Sequence, residues 1–426
     1  MVKLGDTSNQ LPVIMVIANT LKQGTVPLTP SKEIPMNPTR HERYSIYFFT
    51  FSTSMFWFSL YAYIAELSTY ANTLGASYKM IGIITGSYGL TQLLLRIPLG
   101  IFSDMLGKRK IFIILGLFVA TISALITFFF PSQLALLATR SLAGVSAATW
   151  VIFTVTFSSY YKKEEATKAI GLMNSYNAVG QLTAMAMGAV VSYTFGTRYL
   201  FLLAAIGGTI GLLSSLFIYE KPVAIRKSKF RDYMEVAKNR QLQVVSLLSI
   251  LSQLITFATA FGFVPILAKN LGAKNVQLSL LTALAIIPAI FISRLAGSYF
   301  PSRFGRRRTI SVGFIISAFL CILMPWIGHL WLLYVAQFLS GIGRSLVFPL
   351  LMGLGIEHID QEKRATAMGM FQAIYGIGMV FGPMLLGFIA FTYGLIAGFA
   401  VTGAIGLLGL LITLIYIEKK PTRNVA

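Results

Sequence analysis

Charge is scarce in this chain. Of its 426 residues only 12% are Asp, Glu, Lys or Arg, where an average soluble domain has roughly 25%. Acids are scarcer still, at 14, and histidine occurs three times. The apolar stretches accordingly hold no catalytic triad, metal cluster or paired carboxylates, and an enzyme is not expected. A single cysteine, Cys321, excludes an intramolecular disulfide and any C-x-x-C metal or redox site. No G-x-x-x-x-G-K-S/T run occurs, which removes an ATP-driven reading and leaves no cofactor to assign.

Apolar residues take up the difference. They make up 56% of the chain, the mean hydropathy is +0.73, and the charges gather between apolar blocks of about 20 residues, the length that spans a bilayer. Twelve such blocks fall near 45–68, 80–102, 111–130, 133–160, 169–193, 199–219, 243–268, 278–300, 310–328, 331–356, 366–391 and 394–417. The formal net charge of +21 would fit a nucleic-acid partner if the cations were spread over a surface, but they are not. With the N-terminus on the cytoplasmic side, 27 of the 35 Lys and Arg fall on that side. Four lie opposite (Lys79, Arg198, Lys269, Lys274) and four inside the blocks. This is the positive-inside pattern, predicting a multi-pass plasma-membrane protein with both termini cytoplasmic. The excess charge is then topological, with attraction to anionic lipid as a by-product and no nucleic-acid role.

Residues 1–43 mimic a signal peptide in "LPVIMVIANTL" but lack n-region charge and a small-residue cleavage site, and they run into Pro-rich, basic sequence. They are expected to be a disordered cytoplasmic arm, with Met36 an alternative start. Sliding the remainder against itself by 198 positions aligns Arg96 with Arg294, Gly107 with Gly305 and Gly180 with Gly378. A shift of 197 aligns Gly116 with Gly313 and Gly144 with Gly341. The chain therefore divides into six-helix halves, 44–219 and 243–418, joined by a basic amphipathic linker at 220–242 and followed by a tail at 419–426.

"GIFSDMLGKRK", from Gly100 to Lys110, resembles the loop between helices two and three of the major facilitator superfamily, a G-x-x-x-D-x-x-G-R/K-R/K pattern. The likeness extends over residues 44–418. It implies an all-α membrane protein of 12 transmembrane helices in two pseudo-symmetric six-helix bundles, working by alternating access. It also implies that Asp104 sits near the N-terminal end of helix eleven, around Ala365, where a helix dipole favours an anion. Gly100, Asp104, Gly107, Lys108 and Arg109 would form a conformational latch on the cytoplasmic side, the glycines permitting tight turning and close helix approach. The second copy has Ser302 at the aspartate position, so the latch is expected to be one-sided. "RSLAGVSAA" from Arg140 is similar to the family's fourth-helix pattern, whereas the Gly-Pro kink usual in helix five of its drug/proton antiporters is missing. Gly-Pro occurs instead at Gly382–Pro383 in helix eleven, which weakens a multidrug reading.

The charges inside the blocks need reasons, since one at the bilayer centre costs about 2.5–3.5 kcal/mol on insertion scales. Arg96 and Arg294 lie near the inner helix ends and are expected to snorkel. Tyr88, Gln92 and Arg96 share one helix face, which should turn inward. Arg140 and Arg344 sit too deep to snorkel, and Gln337, Arg344 and Phe348 share a face of helix ten. The substrate-binding set is thus Arg344, Arg140, Gln337, Phe348, Tyr63, Gln92 and Tyr88. Glu66, the one acid in a span, reads either as a solvated helix-end carboxylate or as a proton-coupling group paired with Arg140. Four arginines against one glutamate point to a small organic anion as substrate, carried with protons by a monomer. The alternatives are an efflux carrier for amphipathic compounds or drugs, for which the 32 Phe speak, and a non-transporting solute receptor on the same fold.

Overall fold

The computed structural model describes residues 40–161, 166–220, 230–297, 299–357, 359 and 364–418. The side chains of 40–43, 104, 166–171, 230–233, 294, 364 and 365 lie outside the description. So do most of the proposed arm, part of the linker and the tail. Among the described residues the chain is helical and has no strand.

The crossing helices are labelled in chain order. In the first half they are α1 (Arg40–Tyr61, continued by Leu67–Thr73), α2 (Tyr78–Leu106), α3 (Arg109–Phe129), α4 (Gln133–Ala148 with Trp150–Ser158), α5 (Ala166–Phe195) and α6 (Tyr199–Ser215). In the second half, α7 runs through Arg240–Ala258, a π-helical turn at Thr259–Phe263 and Val264–Asn270. It is followed by α8 (Asn275–Gly297), α9 (Arg306–Leu323), α10 (Leu330–Glu357) and a long helix, Arg364–Tyr416. That last element is two helices, because Gly394 has φ 85° and the chain reverses there, bringing Gly398 back onto the Leu386 carbonyl. We call its arms α11 (364–393) and α12 (395–416). Nine helices among the described residues are long and apolar enough to cross a membrane, the longest supplying both α11 and α12. Together with α6 and α1 they make twelve rods.

The duplication read from glycine spacing is a duplication of backbone geometry. Among the described residues all six positive-φ glycines pair across the halves: Gly75 with Gly272, Gly107 with Gly305, and Gly196 with Gly394. Each sits where a connection turns in the left-handed region that only glycine enters without strain. Helix packing repeats as well. α2 packs on α4 as α8 packs on α10, α3 on α6 as α9 on α12, and α1 on α5 as α7 on α11. A Cβ on Gly144 would strike the Tyr88 carbonyl at 2.3 Å, and one on its counterpart Gly341 would strike the Ala285 carbonyl at 2.5 Å. Small residues thus let backbones touch where no hydrophobic effect drives helices together. Gly100 makes no such contact. It lies inside α2 with nothing within 4 Å of a would-be Cβ, so the close-approach role expected for it is absent.

Two breaks place the site. α1 is interrupted at residues 62–66 and α7 at Thr259–Phe263, 197 positions later. The halves meet along α2 and α11, where a Cβ on Gly82 would lie 2.4 Å from the Pro383 carbonyl, and along α5 and α8. Tyr219, at the end of α6, hydrogen-bonds Ser45 at the start of α1, and Gln241 at the start of α7 bonds Leu354 near the end of α10. These ends define a terminal face; the opposite one is the far face, where the halves are joined by side-chain hydrogen bonds.

Candidate functional site

At mid-depth the broken helices bring aromatic rings from both halves together. Trp57 and Tyr61 lie one turn apart on α1, with centroids 5.8 Å apart, and Trp57 meets Trp150 of α4 edge-on at 5.1 Å. From the other half, Phe261 approaches Tyr61 at 5.9 Å and Phe257 stacks on Tyr88 at 6.1 Å. The Arg140 guanidinium lies over the Tyr88 ring, 4.3 Å from its centroid. Gly144, one turn on, is what lets α4 come that close to α2. Tyr61 is within electrostatic reach of both Arg140 and Arg344.

Neither arginine has a carboxylate partner among the described residues. Arg140 is buried, its Nε is unbonded, and it faces the Tyr63 hydroxyl without an aligned hydrogen bond. Arg344 donates through Nη2 to the carbonyl of Ala285, in the turn opened by Pro288 inside α8. It also borders a cavity of about 10 Å³, room for one water, edged by the hydroxyl side chains of Ser252, Thr256, Thr259, Ser317 and Ser340. On the same face of α10, Gln337 is buried and neither its Oε1 nor its Nε2 has a partner. Gln337 stands 197 positions after Arg140, so the two halves place a donor side chain at equivalent points.

The inward stripe on α2 is present: Tyr88, Gln92 and Arg96 are all buried. Arg96, however, does not snorkel. Its Nη2 donates to Gln92 Oε1 at 2.7 Å, and its Nη1 crosses to the other half, to the Gln372 carbonyl at 3.2 Å and the Tyr375 hydroxyl at 3.1 Å. Phe348 packs on Tyr375 at 5.2 Å, which puts it beside this crossing. Arg294, the counterpart of Arg96, has its side chain outside the described residues.

Tyr63 stacks its ring on Phe201 of α6 at 4.7 Å, inside the first half, with its hydroxyl toward Arg140. One further expectation is corrected. Glu66 is neither solvated nor paired with Arg140. It is 1% exposed and its Oε2 accepts from Ser192 Oγ at 2.8 Å and Thr197 Oγ1 at 2.6 Å, leaving Oε1 without a partner. The reason is the interruption at 62–66, which rotates Glu66 out of the phase that a continuous helix would give it.

On the terminal face, Gly107 ends α2 with φ 61° and Lys108 is exposed. The Arg109 backbone N–H donates to Glu220, and Lys110 Nζ to the Leu216 carbonyl at 2.7 Å, so this turn is tied to the end of α6 in its own half. The contact expected between Asp104 and the start of α11 rests on side chains outside the description.

The family model described as Major Facilitator Superfamily matches residues 46–259 and 245–426. The chain belongs to the major facilitator superfamily. An uncharacterized MFS-type transporter of Methanocaldococcus jannaschii is 26% identical over 77% of this chain and 86% of its own length. The class H tetracycline resistance protein of Pasteurella multocida is 23% identical over 82% and 89%, and multidrug resistance protein 2 of Bacillus subtilis 24% identical over 84% and 91%. Among solved structures, the human organic anion transporter MFSD10 superposes with a TM-score of 0.63 at 17% identity, covering 89% of this chain and all of that one. A bacterial homologue of the lysosomal transporter Spinster reaches 0.72 at 15% identity, over 89% and 97%. At these identities the structural matches speak for the fold alone.

Apart from Tyr88, the aromatic residues at the centre were missed by sequence reasoning. Their signal was an aromatic pair at i, i+4 in the first helix of each half, Trp57 with Tyr61 and Phe257 with Phe261.

Proposed function

We propose that this facilitator carries a small organic anion by alternating access, binding it between Arg140 and Arg344 against the ring of Tyr61. One observation carries the reading: a guanidinium from each half lies within electrostatic reach of Tyr61, one over the Tyr88 ring and the other on the Ala285 carbonyl, with no carboxylate to balance them among the described residues. A buried and a half-buried cation with no carboxylate opposite are costly to hold, and a transported anion supplies the missing charge. The unpartnered amide of Gln337 adds a donor and an acceptor for a polar group on the solute. A solute seated there touches both halves, which is what couples its binding to their movement.

In this reading the positive-inside pattern makes the terminal face cytoplasmic and the membrane the plasma membrane. Glu66 is the proton-carrying group, because it is the one buried acid among the described spans. The turn from Gly107 to Arg109, with Asp104, acts as a latch on that face, the halves divide at the 220–242 linker, and a monomer suffices. Counterflow in proteoliposomes is the test. Vesicles preloaded with an unlabelled carboxylate take up the labelled one by exchange, Arg344→Gln abolishes the uptake, and binding without exchange would convert the protein into a receptor.

A second reading has its own support. Two relatives are named for tetracycline and multidrug resistance, and the six rings from Trp57 to Phe261 give a wall that tolerates many apolar shapes. Efflux of amphipathic compounds predicts preferential exchange of hydrophobic cations or neutral molecules, and indifference to Arg344→Gln.

A further inference from the structure

Asn275 opens α8 in the second half, yet its side chain is committed to the first. Its Nδ2 donates to Ser192 Oγ at 2.8 Å and to Thr197 Oγ1 at 3.2 Å. Those two hydroxyls are the ones that donate to Glu66 Oε2. A hydroxyl has a single proton, so the direction of this network follows from counting. If Asn275 presented its oxygen instead, both hydroxyls would donate to it, and Glu66 would need two protons to bond both in return. With the amide donating, the order amide to hydroxyl to carboxylate satisfies all four contacts while Glu66 is charged, its Oε2 accepting twice.

We infer that Asn275, with Ser192 and Thr197, is a positioning residue that closes the far face and, in closing it, holds Glu66 as a hydrogen-bond acceptor. Each hydroxyl that receives a hydrogen bond from Asn275 becomes a better donor to the carboxylate, and bonds to a carboxylate are roughly twice as strong when it is charged. Closure of the far face and the charge on Glu66 are then linked, each favouring the other through this relay. The charged groups around Glu66 do not replace it. Lys269, at the end of α7, acts on Glu66 only through space, and Arg198, next to Thr197 in sequence, is turned onto the Phe128 carbonyl at 2.7 Å and the Phe128 ring. Tyr63 from α1 stacks on Phe201, and Tyr70 from the short continuation of α1 packs on that same ring. The remaining far-face cations are turned elsewhere, Lys79 over the Phe388 ring and Lys274 on an exposed turn.

The inference rests on the proposed proton-carrying role of Glu66 only for its consequence in transport; the relay itself is tested without transport. In a Cys321→Ser background, spin labels at Tyr193→Cys and Trp331→Cys, both exposed on the far face, report the separation of the halves as pH is varied. The expected result for Asn275→Ala is a larger far-open population and a pH midpoint of closure moved upward by roughly half a unit or more. Asn275→Gln, which keeps the amide, should recover part of both. In Glu66→Gln the midpoint should vanish with or without Asn275. An Asn275→Ala variant that opens more but keeps the wild-type midpoint would show a merely mechanical contact and overturn the inference. A Glu66→Gln protein that keeps the midpoint would instead remove Glu66 as the proton carrier, a failure of the function proposed above.

Discussion

Glu66 and Arg140 are charged side chains of the same half, 1% and 2% exposed, yet the fold provides for them in opposite ways. Glu66 is held by two hydroxyls drawn from α5 and the turn before α6, with a second tier from α8. Arg140 has an aromatic ring on one face and no counter-charge. The carboxylate has neutral donors bonded to one of its oxygens; the guanidinium, left with a ring, waits for an anion. Leaving a buried charge without its partner costs several kcal/mol, so the contrast separates a residue built to keep its place from one built to receive something.

Substitutions that remove the waiting charges should have the largest effect. Arg140→Gln and Arg344→Gln are each expected to lower carboxylate counterflow about 100-fold, the scale of a hydrogen bond to a charged group. Lysine at either position should recover only part, since it lacks the planar fork. Next, Glu66→Gln should cut pH-gradient-driven transport about tenfold, the lower end of what a catalytic proton transfer is worth, while leaving gradient-free counterflow intact. If instead the glutamine variant lost counterflow and the arginine variants kept it, the contrast between the two sites would be reversed. Tyr375→Phe removes one of three partners of Arg96 and should slow exchange a few-fold, as loss of about 1 kcal/mol does. Gly100→Ala should leave transport unchanged and raise the melting temperature slightly, because an alanine is worth about 0.5–1 kcal/mol over glycine inside a helix and meets nothing there.

Much of this was legible before any coordinates. Apolar blocks and the sidedness of Lys and Arg are imposed by the bilayer, so they are written in composition. The 197- and 198-residue glycine shifts are written in turns and in helix contacts that tolerate no Cβ. The inward face of Tyr88, Gln92 and Arg96 follows from periodicity in an unbroken helix. What periodicity could not show is where a helix breaks. Residues 62–66 read "AYIAE", with no glycine or proline to announce the interruption, and both readings of Glu66, solvated or paired with Arg140, failed with it. Contacts between halves were equally hidden. Arg96 and Tyr375 are 279 residues apart, and Asn275 sits in a stretch that looks like an ordinary polar turn. Ser192 and Thr197 are residue types too common in membrane helices to mark themselves as partners of an acid.

The most direct test of the missing-anion account is the thermal stability of the purified protein titrated with matched pairs of organic compounds, each carboxylate beside its primary amide. Ligands that bind the folded state raise its melting temperature. The account predicts that at least one carboxylate raises the melting temperature of the wild type while its amide does not, and that Arg344→Gln erases the difference. Equal stabilisation by acid and amide, or a carboxylate effect that survives in both Arg140→Gln and Arg344→Gln, would contradict it.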